Sequence, residues 1–334
     1  MLEEWIFFGK IRQLILSNYC GINQLKIIDF ASDSVLELPW FNPEFKKIYV
    51  KLGQQDIFVT DQTGKVEQFC NSNLNRETFL DLMSDSLFKN SGLMVADYKA
   101  GGDQYVDVRE NVFYLRLKQD YESTSAKYSK MNSGYPSFGK LNLGTKKIEF
   151  FGKEPLFEPD QTYGLISNLH YLYKGDSIIT CHGHDGQINI INTIDGSVKQ
   201  YNAKSKYDIY PVKKWKYHKW MKDAKNKKMQ HWIQSPSYES LFYNPYTKKY
   251  YRVFHPKLDP LNKDGLSNTG EDKECVLMVF DEKFKLVDEV LLPVKRLNLV
   301  KLFPIKDGVA IYLPYLFKVE PNKMTYSYLN IHHN

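Results

Sequence analysis

Residues 169–201 read LHYLYKGDSIITCHGHDGQINIINTIDGSVKQY, and this stretch decides the expected fold. Apolar and β-branched residues form short runs, which are separated by turn-forming residues such as Gly175-Asp176 and Asp195-Gly196. Val, Ile and Tyr fit a pleated, half-buried surface, whereas Gly, Asp and Asn accommodate the backbone angles of tight turns. The stretch therefore predicts four consecutive antiparallel strands, which is the pattern of one β-propeller blade.

The same hairpin pattern recurs along the chain. It begins at Leu25, Ile57, Phe138, Ile188 and Val276. The longer intervals between these starting points are close to twice the period of a propeller blade, which is about 40–45 residues. The repeats predict an all-β fold, namely a single β-propeller of about six blades of four antiparallel strands, with five or seven blades as alternatives.

The repeats also predict one domain that covers residues 1–334. The expected blades have the approximate bounds 5–38, 45–69, 92–151, 167–201, 238–292 and 299–331. Two segments between blades have helical character, and we expect them to form short helical insertions. They are residues 75–89 (NRETFLDLMSDSLFK) and residues 219–232 (KWMKDAKNKKMQHW).

The composition favours a folded, β-rich protein and argues against several other classes. Aromatic residues make up 15% of the chain, and such side chains suit strand surfaces. The four cysteines are far apart and form no C-x-x-C pair, so they indicate neither a disulfide framework nor a zinc site. No apolar run reaches the ~18 residues that a membrane-spanning helix requires. The chain contains no nucleophile elbow, Walker loop, H-E-x-x-H motif or dinucleotide fingerprint.

Three runs in the second half of the chain carry a resemblance to a known family. They are GSVKQYNAKSKYDIYP (196–211), SPSYESLFYNPYTKKYYRVFHP (235–256) and ECVLMVFDEKFKLVDEVLLP (274–293). These runs resemble a family of uncharacterised Bacteroidetes proteins that is similar to six-bladed β-propellers and whose members are commonly described as lipoproteins of unknown function. The resemblance implies a place in the cell envelope, either the periplasm or the outer membrane. It also implies a signal peptide with a lipobox cysteine, which residues 1–20 do not show.

The repeated strands, the abundant aromatic residues and the missing enzyme signatures together favour a non-catalytic binding or interaction protein. We expect an unidentified ligand or protein partner, no cofactor, no catalytic residue and a monomeric chain. The alternative is an enzyme, such as a hydrolase or lyase acting on glycans or small molecules, whose catalytic residues are dispersed over several blades.

His182 and His184 are the first candidate ligand-binding residues. Residues i and i+2 of a strand lie on the same face, so the two imidazoles could share a ligand or, with a third donor, a cation. The other interpretation is that residues 182–186 (HGHDG) form a polar turn between two strands. Because two histidines without a third ligand are weak evidence, we assign no metal site. The loop 260–271 resembles part of a calcium-binding loop, but its first position is Pro260, which has no side-chain oxygen to bind the ion. We therefore interpret it as an ordinary polar loop.

The hairpin of residues 240–254 (SLFYNPYTKKYYRVF) supplies the other candidates, which are Arg252, Tyr250 and Tyr246. Arg252 and Tyr250 share one face of a predicted strand, and Tyr246 lies in the preceding turn. If this face lines a channel, the planar guanidinium can bind a carboxylate, a phosphate or sugar hydroxyls, with tyrosines as flanking platforms. The alternative is structural, with Arg252 stacked on aromatic rings or paired with a carboxylate.

The segment Lys204–Lys228 contains ten lysines and only two aspartates, with aromatic residues interleaved. It accounts for the net charge of +6, so the rest of the chain is near neutral. We expect weak, salt-sensitive contact with anionic surfaces and no sequence-specific nucleic-acid binding. Ammonium groups on flexible side chains do not distinguish one ligand geometry from another. The alternative is a solvated insertion whose aromatic side chains pack back onto the protein.

Overall fold

The computed structural model describes strands between Glu3 and Asn330 and gives side-chain positions for part of the chain. Side chains are described for Leu93, Lys219, Lys222 and residues 111–117, 135–152, 162–166, 168–216, 224–239, 241–270, 272–292, 305–306 and 308–309. The chain divides into two compact units. The first contains Met1–Tyr98, Gln104–Thr124 and Pro136–Phe151, and the second contains Lys99–Asp103, Ser125–Tyr135 and Gly152–Asn334. The expectation of a single domain stays a prediction.

The first unit consists of antiparallel sheets whose strands follow the order of the chain. One sheet contains β1 (Glu3–Phe7), β2 (Gln13–Asn18), β3 (Leu25–Asp29) and β4 (Ser34–Leu38). The next contains β5 (Lys47–Val50), β6 (Asp56–Thr60), β7 (Lys65–Cys70) and β8 (Arg76–Asp81). A five-stranded sheet contains β9 (Leu93–Val95), β10 (Tyr105–Asp107), β11 (Val112–Gln119), β12 (Phe138–Asn142) and β13 (Ile148–Phe151). Both β9 and β10 pair with β11.

The second unit adds further antiparallel sheets and a helix. Its elements in chain order are β14 (Gln161–Thr162), β15 (Leu169–Lys174), β16 (Ser177–His182), β17 (Gln187–Asn192), β18 (Val198–Asn202), β19 (Trp215–Lys216), helix α1 (Lys225–Ile233), β20 (Ser237–Asn244), β21 (Lys249–His255), β22 (Cys275–Phe280), β23 (Leu286–Leu292), β24 (Leu302–Ile305), β25 (Gly308–Tyr312) and β26 (Tyr326–Asn330). Strands β15–β18 and β20–β23 form four-stranded sheets, β24–β26 form a three-stranded sheet, and β14 pairs with β19. Single-turn 3-10 helices lie at Gly164–Ile166 and Gly270–Asp272.

The described chain is therefore mostly β, with antiparallel sheets and few helices, which confirms the predicted fold class at that level. The recurring hairpins are also confirmed as antiparallel pairs: β3–β4, β6–β7, β12–β13, β17–β18 and β22–β23. Among the described residues, no helix combines the length and the apolar character needed to cross a membrane.

A shared turn chemistry explains why these hairpins form. The side-chain oxygen of Asn192 accepts the backbone N–H groups of Ile194 and Asp195. Asn142 and Asn244 accept the backbone N–H groups two and three residues further on in the same way. Such Asx turns reverse the chain with local hydrogen bonds alone. The turn after Asn192 then closes through Gly196, whose φ of +71° lies in the left-handed region that glycine adopts without strain.

The two expected helical insertions have different outcomes. The prediction for residues 219–232 is confirmed in part, because α1 begins at Lys225. The prediction for residues 75–89 is wrong at its start, where β8 (Arg76–Asp81) pairs antiparallel with β7. Residues 76–81 form a strand because pairing with β7 satisfies their backbone hydrogen-bonding groups and overrides a weak local preference for helix.

The core of the second unit lies on both faces of the sheet β20–β23. Tyr250 and Phe254 belong to the cluster on one face, which also includes Ile179 and Ile188 from the sheet β15–β18. Tyr251, with Val253 and other residues, belongs to the cluster on the opposite face. Successive strand residues point to opposite faces, so β21 is buried on both sides and reads as a continuous apolar run interrupted by Arg252. Arg252 is the one charged residue within residues 250–254 of β21, and it lies next to the candidate site.

Candidate binding cavity at the His182–Gly186 turn

A cavity of about 280 Å³ opens beside the turn that joins β16 to β17. We call it the turn cavity. Residues 184–187 form its first wall, Asn202, Lys204 and Asp208 form the second, and residues 210–212 form the third. The lining therefore combines carboxylate, amide, ammonium, imidazole and phenol groups, which can donate and accept hydrogen bonds in several directions.

The first wall is a tight turn held by close backbone contacts. The N–H of Gly183 donates to the carbonyl of Asn168, and the N–H of Tyr238 donates to the carbonyl of Gly183 at 2.7 Å. A Cβ atom on Gly183 would lie 2.6 Å from the carbonyl oxygen of Ile166 and 3.1 Å from that of Tyr238, so this position requires glycine. A Cβ atom on Gly186 would already meet Lys204 at 3.0 Å, where the first and second walls meet.

Arg252 supports the first wall of the cavity from the protein interior. The side chain has no exposed surface, and its Nη2 donates to the carbonyls of His182 at 3.0 Å and Asp185 at 2.7 Å. Its guanidinium lies 4.0 Å from the ring centre of Tyr238. Nε and Nη1 have no hydrogen-bond partner of good geometry among the described residues, although the guanidinium is close enough to Cys181 to act on the pKa of its thiol. Burial nevertheless dominates and raises the pKa of Cys181.

Tyr238 connects this support to the second wall. Its hydroxyl donates to Asp208 Oδ2 at 2.8 Å and accepts the backbone N–H of Ser205 at 3.1 Å. Burial, together with the Asp208 carboxylate, raises the pKa of the phenol, so the hydroxyl stays protonated and remains a donor. Ser205 in turn donates its hydroxyl to Glu289. Tyr238 therefore stacks on the Arg252 guanidinium, which supports the first wall, and its hydroxyl orients the Asp208 carboxylate of the second wall.

His184 faces the cavity as a neutral imidazole. Its ring stacks on Tyr163 with 3.9 Å between the centroids and 11° between the planes. Burial, followed by the proximity of His182, lowers the pKa of His184 to about 3. Lys214 and Arg252 act in the same direction, while a hydrogen bond to the Ile166 backbone opposes them. A neutral imidazole recognises a ligand by hydrogen bonding and contributes no charge near neutral pH.

The third wall and the rim provide an aromatic surface and further charge. Tyr210 is about half exposed, at 49%, and the ammonium of Lys257 lies 5.0 Å from its ring centre. Lys204 Nζ lies 3.9 Å from Asp208 Oδ2. An exposed tyrosine beside fixed polar groups is a common feature of sites for small polar ligands, because the ring covers the apolar face of the ligand.

The structure brings together three of the five residues selected from the sequence. His182 ends β16, His184 lies in the following turn, and their ring centroids are 5.3 Å apart. Residues 183–186 form the turn between β16 and β17, and His184 in this turn lines the cavity, so a ligand-binding role of the two histidines stays a prediction. Arg252 has no surface with which to contact a ligand, so its contribution to the cavity is the positioning of the turn, as in the structural alternative.

The other two selected residues lie elsewhere. Tyr250 is 3% exposed and packs in the core, stacked on Phe284 at 4.4 Å, and burial raises its pKa to about 12. Tyr246 lies at the hairpin turn between β20 and β21, is 62% exposed and does not line the cavity. Neither position follows from residue type, since the same run of tyrosines supplies both a core residue and a solvent-exposed one.

Sequence reasoning missed Tyr238, Asp208 and Tyr210. The run YDIYP (207–211) lies just after β18 and contains two of them, and its density of polar and aromatic residues outside a strand was a usable signal. The role of Tyr238 depends on partners about thirty residues away and carries no local signal. Among the described residues, no group of three or more His, Cys, Asp or Glu side chains is arranged to hold a metal ion.

Residues 46–291 match the family model described as Domain of unknown function (DUF4221). The chain belongs to the DUF4221 family. A crystal structure of a DUF4221 member from Bacteroides vulgatus is similar to it, with a TM-score of 0.67 and 14% sequence identity over 98% of this chain and 92% of that one. This similarity shows a shared fold, and it supports the resemblance to an uncharacterised family with a Bacteroides member.

Two further solved structures match this DUF4221 protein with lower TM-scores. An oligogalacturonate lyase from Vibrio parahaemolyticus has a TM-score of 0.42 and 12% identity, covering 91% of this chain and 84% of that one. A protein of unknown function from Bacteroides thetaiotaomicron has a TM-score of 0.46 and 12% identity, covering 90% of this chain and 64% of that one. No curated protein sequence matches the chain significantly.

Proposed function

We propose that this DUF4221 protein is a non-catalytic binding protein and that the turn cavity holds a small ligand rich in hydroxyl groups. The observation that carries the proposal is the support of the cavity by Arg252 and Tyr238. These two buried side chains hold the first and second walls through four hydrogen bonds and one cation–π contact. A cavity whose walls are fixed before the ligand arrives loses less entropy on binding.

The lining suits hydroxyl groups better than an apolar ligand. Asp185 offers a carboxylate whose Oδ1 is oriented by the backbone N–H of Gln187 at 3.0 Å. The side chains of Asn202 and Gln187 add amide donors and acceptors, and Lys204 adds a donor. A sugar or another polyol presents hydroxyl groups that both donate and accept, and Tyr210 can cover its apolar face.

The protonation of His184 favours recognition over catalysis. A general base works best when its pKa lies near the working pH, and a pKa of about 3 makes this imidazole a weak base near neutral pH. Its stacking on Tyr163 further restricts its movement. The alternative, a hydrolase or lyase acting on glycans or small molecules, would require proton transfer by other groups.

The same proposal extends to architecture and location. We infer that the successive antiparallel sheets are the blades of a β-propeller of about six blades, which is supported by their sequential strand order and their mostly four-stranded size. A place in the cell envelope is supported by the resemblance of residues 196–211, 235–256 and 274–293 to envelope lipoproteins. A monomeric chain completes the proposal.

The test is a binding screen with one pair of matched tyrosine variants. Glycan, nucleotide and peptide panels are screened by the ligand-induced rise in melting temperature, and hits are measured by calorimetry. Tyr210→Ala removes the aromatic wall of the cavity, and Tyr246→Ala removes another exposed tyrosine outside it. We expect a hydroxyl-rich ligand to bind the parent and Tyr246→Ala equally and Tyr210→Ala at least about tenfold more weakly.

Two results would overturn the proposal. The first is that the panels yield no ligand whose binding depends on Tyr210. The second is that the protein converts a bound glycan to product, measured by chromatography of the ligand after prolonged incubation, since this would replace the binding role with the enzyme alternative.

A further inference from the structure

The third wall of the turn cavity continues into a surface of exposed lysines. Val212 lines the cavity, and Lys213 follows it in the chain. We call the exposed lysines of residues 213–227 the lysine surface; its described members are Lys213, Lys214, Lys216, Lys219, Lys222, Lys225 and Lys227. Within the described part of the chain, no ion pair involves Lys213, Lys216 or Lys225. All three side chains are exposed, so an outside partner can reach them.

The first part of the lysine surface has a fixed position. Residues 215–216 form β19, which pairs with β14. The carbonyl of Lys213 accepts a hydrogen bond from His231 Nε2 at 2.8 Å, and the ring of Trp215 stacks on His231 at 4.9 Å. His231 belongs to α1, so the segment that leaves the cavity is attached to the helix that carries Lys225 and Lys227. A positive surface held in this way can match a ligand of defined spacing.

Positive charge also reaches the cavity itself. Lys204 lines the second wall, and Lys214 is close enough to His184 to lower its pKa. The guanidinium of Arg252 adds a buried positive charge below the first wall. Of the two lining carboxylates, Asp208 already has Lys204 and the Tyr238 hydroxyl as partners. An anionic group at the rim therefore meets an excess of positive charge along the path toward residue 213.

The two described tryptophans of this region pack against other residues of the protein. Trp215 is half-buried against His231 of α1, so it packs within this segment, and packing of the segment back onto the sheets stays a prediction. Trp232 packs against Gly270 and lies 4.8 Å from the ammonium of Lys273. Tyr217 and Trp220 lie outside the described residues. Tyr210 is one exposed ring at the edge of this surface. Since single-stranded nucleic acids stack successive bases on several aromatic rings, the described part of this surface suits a polyanion without bases better.

We propose that the ligand of the turn cavity is one unit of an acidic oligosaccharide whose anionic groups extend over the lysine surface. The cavity recognises the hydroxyl groups of that unit, and the lysines recognise the repeated charge of the units beside it. The inference rests on the proposed function, because it assigns a ligand class to the same site.

The experiment uses acidic oligosaccharides paired with neutral counterparts. Fragments of hyaluronan, alginate and chondroitin are each compared with the same fragment after reduction of its carboxylates to alcohols. Calorimetry at low and high salt measures binding to the full-length parent. We expect the acidic form to bind at least about tenfold more tightly at low salt and the difference to shrink at high salt, because exposed charges are screened.

Matched lysine variants locate the effect. The variant K213Q/K216Q/K225Q removes three charges from the lysine surface, and the control K263Q/K283Q/K285Q removes three exposed charges from loops outside it. We expect the first variant to lose much of the preference for the acidic form and the control to behave as the parent. Circular dichroism verifies that both variants fold.

Each outcome separates the inference from the proposed function. If acidic and neutral forms bind the parent equally and in a Tyr210-dependent way, the proposed function stands and the inference fails. If the two triple variants lose the same affinity, the lysine surface is not the site and the inference fails. If no oligosaccharide binds while single-stranded DNA or phosphatidylglycerol vesicles bind through the lysine surface, both proposals fail and the surface serves that other partner.

Discussion

Replacing Tyr238 by Phe tests the link between the two walls of the turn cavity. The substitution removes one oxygen atom and keeps the ring that lies over Arg252. The hydroxyl makes a charge-assisted hydrogen bond to Asp208, worth about 1.5–3 kcal/mol, and a bond from the Ser205 N–H, worth about 1 kcal/mol. Because Asp208 keeps Lys204 as a partner and is partly accessible, we expect a net loss of about 2–3 kcal/mol in the free energy of unfolding.

The assay is urea denaturation of the parent and of two tyrosine variants. Tyr243→Phe is the matched control, because the Tyr243 hydroxyl also donates to a carboxylate, Glu282 Oε1, at 3.1 Å. That pair lies at the exposed surface, where water replaces the lost bond, so its loss should stay within the error of the measurement. Equal losses in the two variants would refute the argument that the buried hydroxyl supports the cavity. A loss in Tyr238→Phe together with unchanged ligand affinity would limit its role to stability.

Two further predictions follow from contacts and charges. Gly183→Ala places a Cβ atom 2.6 Å from the Ile166 carbonyl oxygen and should lower stability by about 1–3 kcal/mol, whereas Gly144→Ala meets only contacts of 3.4 Å and should be close to neutral in thermal denaturation. Burial alone would raise the pKa of Glu239, but the hydrogen bond and charge of His255 outweigh burial and lower this pKa to about 2. The ionised Glu239 carboxylate should therefore stabilise the protein above pH 4.5, and this stabilisation should be lost as the pH falls toward 2. Glu239→Gln should reduce the acid dependence measured by urea denaturation between these pH values, and an unchanged dependence would show that other groups cause it.

Most of the local structure could be predicted from the sequence, because it depends on neighbouring residues. The hairpins follow from alternating apolar runs and from turn residues such as Asn142, Asn192 and Asn244, whose side chains accept N–H groups two and three residues away. The helix at Lys225–Ile233 likewise follows from its own residues. These interactions lie within a few residues of the chain and leave a visible pattern.

The sequence by itself determined the antiparallel, mostly β character of the protein and pointed to residues 182–186 and Arg252 as unusual. Only the tertiary structure decided what they do. Arg252 meets the turn carbonyls across about 70 residues of chain, and Tyr238 meets Asp208 across 30. The pairing of β8 with β7 likewise replaced a locally plausible helix by a strand. Contacts between distant residues depend on how whole sheets pack, and because packing selects among many equally polar or aromatic residues, residue type alone does not reveal which of them form a site.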